Sequence, residues 1–313
     1  MANSEKTTTP RPERGNTGGQ DLAARADSNT AGRRARWLRE VAWRYPIALA
    51  IVFYAAFPLV YVASASLSER GNLAATTTLF SSFSTNNYVA LNDTLFWTWV
   101  KNTMVIGGAA AIGAVLMGAA AAYAFSRFRF TGRRMSLTGL LIIQMFPQTV
   151  AFVAVFLLLL SLGRVMPILG LNSQLALICV YLGGALGANT FLMYGFFNSI
   201  PMELDEAAKI DGASHTQIYW TIVMPLVRPI LAVVGLLAFI SAFGDFILAR
   251  IVLVSPQNWT LAVGMYQWVS DQLAARWGIF AAGTIIAATP VLILFLLLQR
   301  YMVGGLTAGG VKG

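Results

Sequence analysis

The chain is organised by uncharged stretches too long for a water-soluble core. Pro46 to Leu67, Asn102 to Ser126, Met135 to Gly163 and Trp277 to Gln299 contain no Asp, Glu, Lys or Arg. About 20 apolar residues suffice to cross the hydrocarbon of a bilayer, so each run is long enough to span. A further run, Val165 to Met202, is too long for one span. Pro167, Gly170 and Asn172 supply a turn at its start, and a span near Ser173 to Phe197 follows. Apolar character resumes at Pro229 and continues to about Val254, interrupted by Asp245 and Arg250. The pattern predicts an all-α polytopic membrane protein with six transmembrane helices.

Composition agrees with this reading. Charged residues make up 11% of the chain and the mean hydropathy is +0.65, against about 25% charge in a soluble domain. The net charge of +9 is the sign expected of Lys and Arg marking the cytoplasmic side of a membrane protein, so nucleic acid is not expected as a partner. Residues 1–45 form a basic tail, expected to be disordered and cytoplasmic, with nothing apolar enough for a signal peptide. The tail places both termini inside, and 17 of the 22 Lys and Arg then fall on inside segments, four of them at Arg127, Arg129, Arg133 and Arg134. Trp97, Trp99, Trp259, Trp268 and Trp277 gather near the other face, where an aromatic belt is expected.

The domains expected are the tail, a six-helix transmembrane region over 46–303 and a Gly-rich cytoplasmic tail over 304–313. Gly107, Gly108, Ala111, Ala114, Gly118 and Ala122 in the second span predict close helix packing. Cys179 in its apolar segment is expected to be a buried thiol. It is the single Cys, and His215 the single His, so no metal site is expected.

Two polar segments draw attention. An inside loop, about 198–228, contains Glu203-Leu204-Asp205-Glu206-Ala207-Ala208-Lys209-Ile210-Asp211-Gly212-Ala213. Acids suit the N-terminal end of a short helix and Gly212 can terminate it in the left-handed conformation, which predicts helix, sharp turn, helix. Ala207, Ala208 and Ala213 would leave a thin surface able to seat in a groove, with Glu206 offering a carboxylate; a solvated connector fits the same residues. An external loop, about 254–277, mixes aromatics and amides, including Trp259, Tyr266 and Trp268, suited to membrane-interface anchoring or to contact with a sugar or protein.

Within the spans, Asp245 is a costly ionisable group and therefore a functional candidate. It lies about 24 Å along a helix counted from Pro229, in the outer part of the bilayer. It fits a translocation path, or a structural pair with Arg250 or a neighbouring helix. Gln144 and Asn172 fit the same path or helix–helix hydrogen bonds.

Glu206-Ala207-Ala208, Asp211-Gly212-Ala213 and Pro225 resemble the EAA loop of the membrane subunits of bacterial ABC importers. Gln144-Met145-Phe146-Pro147, Gly170-Leu171-Asn172, Tyr181-Leu182-Gly183-Gly184, Thr260 to Met265 with Gln267, and the ending Gly305 to Gly313 are similar to the MalG-type, maltose/maltodextrin branch. The resemblance covers about residues 45 to 313. Phe243-Gly244-Asp245-Phe246 keeps only the acid and the following Phe of the branch's Trp-Asn-acid-Phe pattern.

The resemblance implies the ABC importer permease (MetI-like) fold in the bacterial inner (cytoplasmic) membrane, and a carrier for maltose/maltodextrin or a related α-glucoside. It implies that Glu206, Ala207, Ala208, Asp211, Gly212 and Ala213 couple to an ATPase, and that Gly309, Gly310 and Lys312 contact the ATPases. It also implies that Trp259, Tyr266 and Trp268 face the binding protein. The implied partners are a second, MalF-like permease, two ATP-binding subunits, an external solute-binding protein, the sugar and the lipid bilayer. No cofactor is expected in this chain, ATP and Mg belonging to the ATPases. The chain lacks a Gly-x-x-x-x-Gly-Lys-Ser/Thr loop and any nucleophile, base and metal cluster, so it is not expected to be an enzyme. The alternative is a stand-alone secondary transporter or channel, a class that usually shows paired ionisable residues or broken helices near the midplane.

Overall fold

A computed structural model describes residues 41–69, 79–80, 82–270 and 276–309, without the side chains of Gln148 and of residues 303–309. Among the described residues every regular element is helical. The elements are α1 (Arg44–Ser66), α2 (Asn86–Ala90), α3 (Phe96–Arg127), α4 (Arg133–Gln144), α5 (Gln148–Leu162) and α6 (Gln174–Ser199). They continue with α7 (Glu203–Ile210), α8 (His215–Leu226), α9 (Arg228–Gly244), α10 (Ile247–Val252), α11 (Leu261–Ser270) and α12 (Trp277–Gly309). The chain divides into two compact units, Met1–Val60 and Tyr61–Gly313, and the packing described below lies within the second.

Among the described residues four helices are long and apolar enough to cross a membrane by themselves, α1, α3, α6 and α12 as far as Met302, and the number rises to as many as six where each of two bent pairs counts as one span. The expected run Met135 to Gly163 is therefore not one straight span. α4 and α5 meet at an angle of 100°, because Pro147 at the start of α5 has an extended ψ of 115° and a proline disfavours helix in the residue before it. α8 and α9 meet at 79°, with Pro229 in the first turn of α9. α9 stops at Gly244, where Asp245 turns extended, so the apolar stretch from Pro229 to Val254 is two helices with an acid between them. Broken helices, which the alternative class usually shows near the midplane, are thus part of this fold.

α3 is the axis of the second unit. Its 32 residues extend about 48 Å, and it packs chiefly on α6 and α9. The small-residue row packs closely at most of its positions: a Cβ at Gly107 would lie 3.3 Å from Phe239 and one at Gly118 3.2 Å from Met193, whereas one at Gly108 would meet nothing within 4 Å. Near the C-terminal end of α3, Ala119, Ala122 and Tyr123 join Met193, Phe197, Ile218 and Val223 in one core. At its N-terminal end, Leu91, Phe96, Trp99, Leu261, Met265, Trp268 and Ala282 form another.

That second core corrects two expectations. Trp99 and Trp268 are 1% and 6% exposed and their rings lie 5.6 Å apart, so they are core residues rather than parts of an interfacial belt. Trp97 is exposed, as a belt residue should be. The segment 254–277 is not an open loop, because α11 lies in it and brings Gly264 against Trp99, where a Cβ would overlap the indole. Cys179 is exposed on α6, contrary to the expectation of burial. An apolar run in a membrane protein can face lipid as readily as protein, so hydropathy alone cannot place its side chains.

Asn172 is the main tie between the α5–α6 connection and the segment after α10. Its backbone N–H donates to Val252 O at 2.7 Å. Its Oδ1 accepts from the N–H groups of Val254 at 3.1 Å and Ser255 at 2.8 Å, and its Nδ2 donates to Ser255 Oγ at 2.9 Å. With φ at +65° it occupies the left-handed region, which Asn tolerates better than most residues. Asn172→Ala is expected to lose the side-chain bonds and to be strained by about 1–2 kcal/mol, whereas Asn172→Gly loses only the bonds. A higher melting temperature for the Gly variant than for the Ala variant checks this; equal values would show that the backbone strain is relaxed elsewhere.

Candidate functional site

α7 and the turn after it form a compact hairpin at the C-terminal end of α3. Glu203, Asp205 and Glu206 occupy the first turn of α7 and Lys209 the last, each favourable to the helix dipole. The helix closes as the sequence predicts. Gly212 has a φ of +84°, its N–H donates to Lys209 O at 3.0 Å, and Ala213 N–H donates to Ala208 O at 2.9 Å, the paired bonds of a Schellman cap. Ser214 then caps α8 reciprocally with Gln217, a Ser-x-x-Gln signal legible in the sequence.

The two faces of α7 have separate roles. Asp205 and Ala208, three residues apart, point inward and are buried, whereas Glu203, Glu206, Ala207 and Ile210 are exposed, the spacing of one helix face. Ala208 belongs to the core beneath, with Ala213 half-buried against it. This corrects the expectation that Ala207, Ala208 and Ala213 form one outward surface. The outward surface contains Glu206 and Ala207, with Asp211 and Gly212 exposed beside them and Ile210 projecting at 87% exposure.

The inward face is fastened by charge. Arg127, in the last turn of α3, places Nε 2.8 Å from Asp205 Oδ2, with the two side chains 4% and 6% exposed. The same guanidinium donates from Nη1 to Phe197 O at 3.2 Å and from Nη2 to Ile200 O at 3.3 Å, at the C-terminal end of α6 and the residue that caps it. Asp205 Oδ1 is buried without a hydrogen-bond partner in the chain. Sequence reasoning missed this group. Arg127 reads as one of four inside arginines, and nothing local reports a pairing made across two helices.

Asp245 lies in the break between α9 and α10. Its Oδ2 accepts from Tyr181 Oη at 2.8 Å and from Ala249 N–H at 2.9 Å, so its partners are a neighbouring helix and its own downstream turn. Arg250, the other expected partner, instead lies over the Trp259 ring at 5.0 Å. Asp245 borders a cavity of about 600 Å³ whose polar lining includes Tyr181, Asn189 and Ser241 and whose apolar walls include Phe152 and Leu248. Gln144 and Asn172 do not line it: Gln144 packs on Gly187 of α6, and Asn172 is engaged in the loop contacts above.

Of the three aromatics expected to face a binding protein, only Tyr266 is well exposed, at 51%, with its ring against Phe246. Trp259 is half-buried between Arg250 and Trp99. Trp268 is core and unavailable to a partner, because α11 turns it onto Phe96 and Trp99. His215 is exposed beside Phe128, and among the described residues no group of His, Cys, Asp and Glu is arranged to hold a metal. α12 is helical through Gly309, which takes in the first residues of the Gly-rich ending. Gly310 and Lys312 lie outside the described residues.

Known proteins share this architecture and sequence. The chain is 42% identical over 259 residues to the maltodextrin transport system permease protein MdxG of Bacillus subtilis, covering 82% of this chain and 91% of that protein. It is 41% identical over 261 residues to the galactooligosaccharides transport system permease protein GanQ of the same organism, covering 82% and 90%. It is also 39% identical over 283 residues to the maltose/maltodextrin permease MalG of Escherichia coli K12, covering 85% and 94%. A crystal structure of a bacterial ABC transporter that imports alginate contains a chain that superposes with a TM-score of 0.72 at 26% identity, covering 85% of this chain and 98% of that one. Residues 114–306, which hold the α7 hairpin, Asp245 and both bent helix pairs, match the family described as binding-protein-dependent transport system inner membrane component, and the chain belongs to that family of ABC importer permeases.

Proposed function

We propose that this permease carries maltodextrin or a related α-glucoside through the bacterial inner membrane, with its α7 end facing the cytoplasm. It acts with a second, MalF-like permease, two ATP-hydrolysing subunits that hold ATP and Mg, and an external solute-binding protein. Hydrolysis takes place in those subunits, and this chain converts their closing into access for the sugar. The observation that carries the reading is the two-faced α7, whose inner face is bound to α3 and α6 through Arg127 while its outer face offers Glu206, Ala207 and Ile210 to a partner.

The Asp245 cavity serves as part of the path. Apolar walls with a few fixed polar groups suit a solute that has apolar ring faces and hydroxyl edges. Tyr266 meets the binding protein in this reading, which its exposure supports. The ending that includes Gly309, Gly310 and Lys312 reaches the ATPases.

Similar identities to maltodextrin and galactooligosaccharide permeases make substrate choice the first test. Complexes of this chain with the co-encoded subunits, reconstituted in vesicles, are expected to accumulate labelled maltodextrin only with ATP and the binding protein. Unlabelled maltodextrin should compete and galactooligosaccharide should not. Reversed competition would transfer the carrier to the galactoside class, and uptake without ATP would overturn the ABC mechanism for this chain.

A further inference from the structure

We propose that the Arg127–Asp205 pair is the strut that delivers movement of α7 to the walls of the Asp245 cavity, which makes both residues positioning residues for transport. The inference rests on the reading of α7 as the ATPase-facing helix, and it assigns the inner side of that helix a role the outer face does not contain.

The geometry has three parts. One guanidinium, fixed in the last turn of α3, meets the α7 carboxylate through Nε and the end of α6 through both terminal nitrogens. Three helices therefore share a single planar, charged group. The two carbonyl bonds fix the orientation of the guanidinium, and Nε holds Asp205 by charge at 2.8 Å without an aligned hydrogen bond.

The two helices gripped in this way lead to the cavity. Ala110 of α3 and Tyr181 of α6 both line it, about 26 Å and 24 Å along their helices from Arg127 and Phe197. A tilt imposed at α7 reaches Tyr181, and through its bond Asp245, along rigid helices rather than through a loop.

Stability alone does not account for the pair. Two buried charges are costly to desolvate, and an apolar pair of similar volume often serves folding equally well or better. Asp205 is also left with one buried oxygen unpartnered, an arrangement that an apolar pair would avoid. What the charged pair adds is direction: it resists displacement of α7 relative to both α3 and α6.

The test uses the full transporter with Asp205→Asn, and separately with the double replacement Arg127→Met and Asp205→Leu, which removes both charges while keeping the site filled. Three quantities are read: ATPase subunits recovered with the permease, melting temperature, and sugar transported per ATP hydrolysed. Both variants are expected to retain the ATPases and hydrolyse ATP, with sugar per ATP falling about fivefold or more, the scale of a site-to-site coupling. Wild-type sugar per ATP in the assembled double variant would overturn the strut. Failure of both variants to assemble would also overturn it, by making the pair a folding element. Ile210→Asp, on the outer face, separates this from the underlying reading: if that variant binds the ATPases and transports normally, the docking role of α7 fails whatever the strut variants show.

Discussion

Replacing Ile210 by Asp is expected to abolish sugar uptake while the permease itself accumulates and melts normally. Ile210 closes α7, is 87% exposed and does not belong to the buried core beneath the hairpin, so its loss costs the isolated chain almost nothing. At an interface the same side chain is an apolar anchor beside the Glu206 carboxylate, and truncating such an anchor costs about 2–4 kcal/mol, or about 30- to 1,000-fold in affinity. An introduced Asp adds a buried unpaired charge to that loss. The measurement is the amount of ATPase subunit retained by purified permease, followed by uptake in vesicles. Full retention and normal uptake would show that α7 is a solvated connector, the other reading its sequence allows. Glu206→Lys, which reverses one charge on the same face, is expected to weaken uptake less than Ile210→Asp, because a rim charge contributes less than a buried apolar contact.

The largest effect on stability is expected at Trp99. It is 1% exposed, its ring meets Trp259 and Trp268, Gly264 admits it by having no side chain, and its Nε1 donates to Pro256 O at 2.8 Å. Trp99→Ala removes this packing, for which about 3–5 kcal/mol is the usual cost, and leaves the Pro256 carbonyl without that donor. Trp97→Ala, at an exposed neighbour, is expected to shift the melting temperature far less. Thermal melts of both variants in one detergent provide the comparison. Equal small shifts would return Trp99 to the interfacial belt in which its sequence position first places it. Gly264→Val should resemble Trp99→Ala from the opposite side of the contact, since any branched side chain there displaces the indole.

Properties that add along the chain are legible before any packing is known. Hydrocarbon thickness sets a length, and the uncharged runs meet it, so membrane residence, helical class and the places of the four unbroken spans are legible. The α7 hairpin was legible too, because its acids, its left-handed glycine and its cap act within a few residues of one another. The tertiary structure decided which side of each helix does what. Hydropathy cannot separate a face turned to lipid from one turned to protein, so it cannot show that Cys179 is exposed or that Trp99 and Trp268 are core, and small Ala residues around α7 do not reveal that Ala208 is the one turned inward. Nor can it register a proline break within an apolar run, where the sequence still reads as one span across the 100° bend of α4 and α5. The pairing of Arg127 with Asp205 and of Tyr181 with Asp245 depends on helices far apart in sequence meeting at one height. Only packing sets that height, because each side chain alone is equally compatible with solvent, lipid headgroup or another partner.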